Sequence, residues 1–345
     1  MAHCWRLVLA FAAVLFSVLF SQLAQAQEKP FNVNVQAEIF KVFEPSKPNQ
    51  KTFGPLTFKG GAALLGDQRA FGGLSGIQVV SQGRRLIAIS DSGYWLTAKI
   101  ERDDNQSFKA LKNAKMIKLY SGAGPRGAVD KYYRDAEGIT RLDNQLFVSF
   151  EGAHTISEYG YSKTGLQLNP RVLNLPTGLK KSQQNKGMEA LAHAPRGTVL
   201  EGHLVTILER SGRRHEPTYG WIINPKRTSD KEGKFTLLRD SLFEITGAEF
   251  LKNGDLLVLE RRFTLATGAG MRLRLIKANE LKKEATITGK VVFEAGLSHR
   301  IDNMESVSIY ENEAGETILA FISDDNHSVL QRTIFLEFVL DATKL

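Results

Sequence analysis

The sequence predicts an all-β repeat protein, a β-propeller built from four-stranded blades. Three observations carry that expectation: short apolar strands between turn residues from residue 70 onward, a five-residue motif that recurs along the chain, and a second strand after each copy that ends on an acidic residue. The expected organisation is an export signal over residues 1–26, N-terminal strands over 27–69, and the propeller domain over 70–345.

The strands are rich in Val, Ile, Leu and Phe, and Gly, Asn, Asp and Pro separate them. Helical periodicity is nearly absent; residues 279–284 have room for a single turn. Regular short strands fit a sandwich, a barrel or a propeller, and an internal period decides among these. The aligned copies are Gly73-Leu74-Ser75-Gly76-Ile77, Asp135-Ala136-Glu137-Gly138-Ile139, Gly187-Met188-Glu189-Ala190-Leu191, Gly247-Ala248-Glu249-Phe250-Leu251 and Asn303-Met304-Glu305-Ser306-Val307. Their common form is a small or polar residue, an apolar one, Glu, a small one and an apolar one. Ser75 replaces the Glu in the first copy, and Phe250 replaces the small residue in the fourth. The third positions lie 62, 52, 60 and 56 residues apart, which suits propeller blades. Five blades are visible, and residues 27–69 either complete the last of them or form a sixth.

The second strand of each unit is an almost unbroken apolar run, as expected of a strand buried on both faces. These runs end at Asp91, Glu151, Glu209, Glu260 and Asp324. In an antiparallel hairpin the start of the first strand and the end of the second lie at the same end of the sheet. Glu137 is therefore expected beside Glu151, Glu189 beside Glu209, Glu249 beside Glu260, Glu305 beside Asp324, and Ser75 beside Asp91. Radial blades would bring all nine carboxylates to one mouth of the central channel.

So many carboxylates cannot stay ionised together without a compensating charge, because like charges in a partly dry site raise one another's pKa. One compensator is protein: Arg210, Arg261 and Arg262 directly follow ring carboxylates, with Arg134, Lys186, Arg213, Arg214 and Arg300 nearby. The other is a hard cation such as Ca²⁺, which takes several oxygen ligands. A mouth with both signs of charge suits a small anionic or ester substrate. A ladder of salt bridges capping the strand ends accounts for the same residues without any chemistry.

Composition removes other classes. The chain has 42% hydrophobic and 24% charged residues, an ordinary globular balance. Its single cysteine, Cys4, lies within the signal, so the mature chain has no disulfide, Cys nucleophile or Cys-ligated zinc. The signal itself reads as Arg6, an apolar run over 7–20 and the small-x-small site Ala24-Gln25-Ala26. A mature start at Gln27, a periplasmic or secreted location and no stable membrane span are expected. The net charge of +8 is spread along the chain, and no nucleic-acid partner is expected. The sequence does not fix the oligomeric state.

Gly122-Ala123-Gly124-Pro125-Arg126-Gly127 matches a dinucleotide fingerprint in letters, but no helix pattern follows it, and it reads as a loop. Gly73-Leu74-Ser75-Gly76 lacks the spacing of a nucleophile elbow. His154, His215 and His327 follow ring strands closely, though none has metal-ligand spacing.

As a set, Phe71-Gly72-Gly73-Leu74-Ser75-Gly76-Ile77, Ser90-Asp91-Ser92-Gly93, Asp135-Ala136-Glu137-Gly138-Ile139, Lys186-Gly187-Met188-Glu189 and Asn303-Met304-Glu305-Ser306 resemble the bacterial phytase-like family, described as having esterase-like activity of phytase. The resemblance covers about residues 70–340. It implies a propeller fold, export, and Ca²⁺-dependent hydrolysis of phosphate or related esters. On that reading Asp91, Glu137, Glu151, Glu189, Glu209, Glu249, Glu260, Glu305 and Asp324 hold the metal. Glu137, Glu189 and Glu305 carry catalysis, and Arg210, Arg261 and Arg262 bind the substrate. A lactonase or esterase propeller and a noncatalytic binding propeller are the alternatives.

Overall fold

The structure is a computed structural model that describes residues 29–125, 130–162, 165–180, 187–213, 216–226, 231–239 and 242–345. The expected signal at 1–26 lies outside these residues, as do Lys186, Arg214, His215 and the end of the 122–127 loop. Among the described residues no helix is long and apolar enough to cross a membrane.

In chain order the N-terminal strands are β1 (Phe31–Val33), β2 (Val35–Phe40), β3 (Thr52–Phe53) and β4 (Leu56–Gly66). The first blade follows as β5 (Leu74–Val80), β6 (Arg85–Ser90), β7 (Tyr94–Arg102) and β8 (Phe108–Lys118). The second is β9 (Ala136–Leu142), β10 (Gln145–Phe150), β11 (Thr155–Ser162) and the short β12 (Gly165–Leu166) and β13 (Arg171–Val172). A one-turn helix, α1 (Thr177–Lys180), leads to the third: β14 (Met188–His193), β15 (Leu204–Leu208), β16 (Thr218–Ile223) and β17 (Gly233–Leu237). The fourth has β18 (Glu244–Phe250), β19 (Leu256–Thr264), β20 (Gly268–Ile276), then β21 (Thr286–Ile287), which pairs with β17 of the third blade, and β22 (Lys290–Ala295). Residues 279–284 form turns and no helix. The fifth blade is β23 (Asn303–Glu311), β24 (Thr317–Asp324) and β25 (Thr333–Leu340), finished by β4 and β2 from the other end of the chain.

These are five blades and not six. Residues 35–66 complete the last blade, and β1 adds an edge strand to the first. The innermost strands β5, β9, β14, β18 and β23 each touch the next, and β23 returns to β5, closing the ring. At that closing seam Arg102 of β7 makes a two-pronged pair with Glu337 of β25, Nη1 to Oε2 at 2.7 Å and Nη2 to Oε1 at 2.9 Å. Tyr310 of β23 donates to the same carboxylate at 2.7 Å.

The unbroken apolar runs have a direct cause. Successive side chains of a strand point to opposite faces, and each blade has a neighbour on both. Leu257 and Leu259 of β19 pack at the seam with the fifth blade, and Leu256 and Val258 pack at the seam with the third. The buried apolar residues accordingly divide into five clusters, one per seam.

Candidate functional site at the channel mouth

Every inner strand carries a β-bulge near its start. Its register against the second strand shifts between Leu74 and Gly76, opposite Val148 to Phe150 on β9, between Met188 and Ala190, between Ile245 and Gly247, and between Met304 and Ser306. The extra residue is Ser75, Glu189, Thr246 or Glu305, with Glu137 in the same place on β9. A bulge bends the strand and re-aims a side chain, here toward the channel. The residue after it is small because the next blade passes there. A Cβ on Gly76 would lie 2.8 Å from Ile139, on Gly138 2.7 Å from the Glu189 carbonyl oxygen, and on Gly247 3.0 Å from the Glu305 carbonyl oxygen.

This geometry corrects the fourth repeat. Glu244-Ile245-Thr246-Gly247-Ala248 is the true copy, three residues before the segment containing Glu249, and the intervals become 62, 52, 57 and 59. The facing position moves as well. Asp91, Glu151, Glu209 and Asp324 stand opposite or beside the strand starts 73, 135, 187 and 303, and the residue facing Glu244 is Arg261. Glu260 is one residue off, and a one-residue step along a strand reverses the face. It is fully buried in the blade, paired with Arg272 and Arg274. Arg262 also turns away, bonding Thr267 and lying 5.3 Å over Phe243. Neither Glu249, Glu260 nor Arg262 joins the mouth.

Glu249 sits deeper in the channel, near the hairpin end of β18. Its Oε2 accepts a 2.8 Å hydrogen bond from Gln78 of the first blade, which also donates to the Ile139 carbonyl. The first and fourth blades are not neighbours, so this bond crosses the channel. Burial pushes Glu249 up to about 7.

The other seven expected carboxylates gather at the mouth, and Asp135 joins them. Asp135, Glu137 and Glu151 bring ligand oxygens within 4.8 Å of one another. Oδ1 of Asp135 is buried without a well-formed hydrogen bond, the nearest cation being Lys131 Nζ at 3.3 Å. Glu151 accepts the Gly187 N–H at 2.7 Å, tying the second blade to the third. At 4.8 Å and an effective dielectric of about 20, each ionised pair would repel by roughly 3 kcal/mol. Burial, then the neighbours Glu189, Asp135 and Glu151, holds Glu137 well above the usual carboxylate range. Glu189 is raised in the same way by burial and Glu209. Burial lifts Glu305 to about 8 against the pull of Arg261, and Asp324 to about 7. Asp91 and Asp135 are raised by burial too.

Lys131 serves Asp135, and Arg261 is the cation on the other side of the ring. Its Nε lies 3.2 Å from Glu305 and its Nη2 3.6 Å from Glu209, while Nη1 donates to Asn303 at 2.8 Å. Arg210 sits at the rim, 3.3 Å from Glu244. His327 lies near Asp91, whereas His154 is buried and its pKa falls through desolvation.

Asp135 escaped the sequence reading because its counterparts are Gly73, Gly187, Glu244 and Asn303, which share no chemistry. Arg261 was recognised as a cation, but its place inside the ring depends on the register.

A family profile described as phytase-like, esterase-like activity of phytase, matches residues 69–327. The chain belongs to that phytase-like family. Among curated proteins none matches it. Similar solved structures include Myxococcus xanthus glutaminyl cyclase, 12% identical with a TM-score of 0.41 over 78% of this chain and 91% of that one. A nidogen/laminin complex is 11% identical, with a TM-score of 0.40 over 78% and 87%. A glucose dehydrogenase is 12% identical, with a TM-score of 0.43 over 81% and 98%. At these values they do not bear on the chemistry of the mouth.

Proposed function

We propose that this phytase-like propeller is an exported Ca²⁺-dependent hydrolase of phosphate esters or related esters, with its metal at Asp135, Glu137 and Glu151. The supporting observation is the excess of carboxylate over cation at the mouth, together with the buried Asp135 oxygen that lacks a well-formed bond. Three carboxylates supply only hard oxygen donors, the set that suits Ca²⁺ and not a soft metal. A bound calcium ion would supply Lewis acidity toward a phosphoryl or acyl oxygen and a more acidic water.

The chain's own groups supply the rest. Arg261 of the fourth blade, held between Glu305 and Glu209, offers a fixed positive charge to an anionic substrate. Glu305, held up at about 8, is mostly protonated at neutral pH. Its Oε1 takes the Asn303 amide at 2.7 Å and faces Arg261, which leaves Oε2 to hold a proton for a departing alcohol. Residues 1–26 support delivery to the periplasm or medium, with sequencing expected to find Gln27 as the mature N-terminus.

The test is metal analysis of the purified protein, then melting and hydrolysis of an aryl phosphate and an aryl ester with Ca²⁺ and with chelator. Ca²⁺ should raise the melting temperature, and Glu137→Gln and Glu151→Gln should each cost at least a hundredfold in rate while the fold survives. Equal melting across Ca²⁺ concentrations, with no hydrolysis of either substrate, would leave a noncatalytic binding propeller.

A further inference from the structure

Three adjoining turns rise from the rim of the mouth on the fourth and fifth blades. The β19–β20 hairpin begins just past Arg261 of the ring, and β22 ends at Ala295, level with Arg261 across Met271. The loop after β24 begins just past Asp324. Each turn carries large apolar side chains in solvent. Phe263 is 64% and Leu265 98% exposed on the hairpin, Leu297 is 77% exposed after β22, and Val329 and Leu330 stand almost wholly exposed after β24. A Cβ on Gly268 of the hairpin would lie 2.9 Å from Leu297 Cδ1, and Asp302, at the end of the second turn, accepts the Arg332 N–H of the third at 3.1 Å. The connections at the opposite end of the blades expose one large apolar side chain among the described residues, Val199. Scattered apolar side chains are ordinary on a surface, whereas a group on adjoining turns at one end of the molecule marks an interaction site.

The fourth-blade turns are also basic. Residues 261–269 and 296–301 hold Arg261, Arg262, His299 and Arg300 and no Asp or Glu. Arg261 is engaged with Glu305 and Glu209. Arg262 and Arg300 have no carboxylate partner among the described residues: Arg262 bonds the Thr267 hydroxyl and lies over Phe243, and Arg300 lies 4.7 Å over Phe40. A Cβ on Gly296 would lie 3.9 Å from Arg262 Nη2, which sets that charge at the foot of Leu297. The acids around the turns are engaged or lie below them. Glu44, near His299, is held by Lys47 at 3.0 Å, and Asp302 accepts the Asn303 and Arg332 N–H groups. Glu294 lies lower on β22, opposite Arg272, and the ring members Glu305 and Asp324 are buried.

We propose that these turns dock the propeller on an anionic lipid surface, with Phe263, Leu265, Leu297, Val329 and Leu330 at the boundary of headgroups and acyl chains and Arg262 and Arg300 against the phosphates. Apolar tips over unpaired cations are the combination that such an interface attracts. A protein interface buries about 800 Å² on each partner at the packing density of an interior, which tips on separate turns do not offer; lipid needs no matching shape. Docked this way, the mouth is held at the membrane surface. The docking does not depend on hydrolysis.

The test is co-sedimentation with phosphatidylcholine vesicles, with and without phosphatidylglycerol, in chelator so that no calcium ion bridges carboxylate to lipid. The chain starting at Gln27 keeps every strand of the propeller and lacks the apolar run at 7–20, which would bind vesicles on its own. Binding should be at least tenfold stronger with phosphatidylglycerol present. Leu265→Asp and Leu297→Asp should each weaken it at least tenfold, and Val199→Asp, at the opposite end, should leave it unchanged. All three positions are well exposed, so the melting temperature should not move. Vesicle binding with this pattern in a protein that hydrolyses nothing would keep the docking surface and remove the hydrolase reading. Binding that ignores phosphatidylglycerol or both tip substitutions, or falls equally with Val199→Asp, would overturn the proposal even in an active enzyme. So would absence of vesicle binding beside a dimer in solution that Leu265→Asp dissociates, which would make a second copy of the chain the occupant.

Discussion

The second blade places Glu137 at its bulge and Glu151 at the facing strand end, with Asp135 alongside, whereas the fourth places Thr246 and Arg261 there, with Glu244 alongside. The backbone is the same in both. A bulge and a small residue after it are fixed by the passage of the next blade, while the side chain they deliver to the channel can change without disturbing the seam. The mouth is therefore polarised, with Asp135, Glu137 and Glu151 sharing the single Lys131 on one side and a guanidinium between Glu209 and Glu305 on the other. Polarisation of this kind lets one ring hold a cation and an anion together.

The largest effect is expected from erasing the difference. Arg261→Met leaves Glu209 and Glu305 without their guanidinium, and breaking a buried pair typically costs about 3–5 kcal/mol. Arg261 pulls the Glu305 pKa down, so its loss raises that pKa further and the penalty is greatest above the folded value of about 8. Urea unfolding in chelator should show a large loss at pH 9 that shrinks toward pH 5, as the carboxylates take up protons. The second blade should behave oppositely. Glu137→Gln removes a repelling charge and should stabilise the chelated protein at pH 9. A loss of stability in both variants would mean that the ring is an evenly compensated network and is not polarised.

The same two blades show how much of the molecule was legible. The five-fold repeat, the strand pairs and the buried middle strands follow from spacing and apolar runs, because inter-blade packing imposes them at every unit. In the second, third and fifth blades Glu sits on the bulge, and the expected pairs Glu137 with Glu151, Glu189 with Glu209 and Glu305 with Asp324 do meet. In the fourth, the absence of Glu at position 246 drew the alignment to Glu249, and Glu260 was chosen beside it over Arg261. The available signal was Phe250, a large residue at a position where the neighbouring blade leaves room only for a small one. Steric periodicity was the safer guide, and chemical periodicity failed where the site breaks symmetry.

Glu249 gives a second, smaller test, of the channel's depth against its mouth. Its folded pKa of about 7 lies above the ordinary 4.5, so the native state binds this proton more tightly than the unfolded chain. The resulting stabilisation is complete below about 4.5 and is lost as pH rises through about 7. A shift of that size is worth on the order of 3 kcal/mol. Glu249→Gln keeps an acceptor for Gln78 and removes the titration. In chelator the variant should be within about 1 kcal/mol of wild type at pH 5 and more stable by roughly 2 kcal/mol at pH 8. Because the mouth is common to both proteins, its own titration cancels in the difference. Parallel stability curves from pH 5 to 8 would show that Glu249 titrates normally and that the Gln78 bond is an ordinary ionic one.

The smallest effects belong to the two blades without a bulge carboxylate. Ser75 donates to the Ala136 carbonyl at 2.5 Å, and Thr246 donates to the Met304 carbonyl at 3.0 Å. In each case the hydroxyl reaches the residue just before the next blade's bulge, so it stitches neighbouring inner strands where the other blades send a carboxylate into the channel. Each hydroxyl lies buried, and losing it leaves a carbonyl short of one donor, at about 1 kcal/mol. Ser75→Ala and Thr246→Val should therefore each lower unfolding stability by that amount, with no dependence on pH between 5 and 9 and no change in the Ca²⁺ response. The sites lie in different seams and share no partner, so the double variant should lose the sum. If either substitution instead altered the Ca²⁺ midpoint severalfold, the hydroxyl would belong to the cation-binding side of the ring, and the division between carboxylate blades and stitching blades would fall.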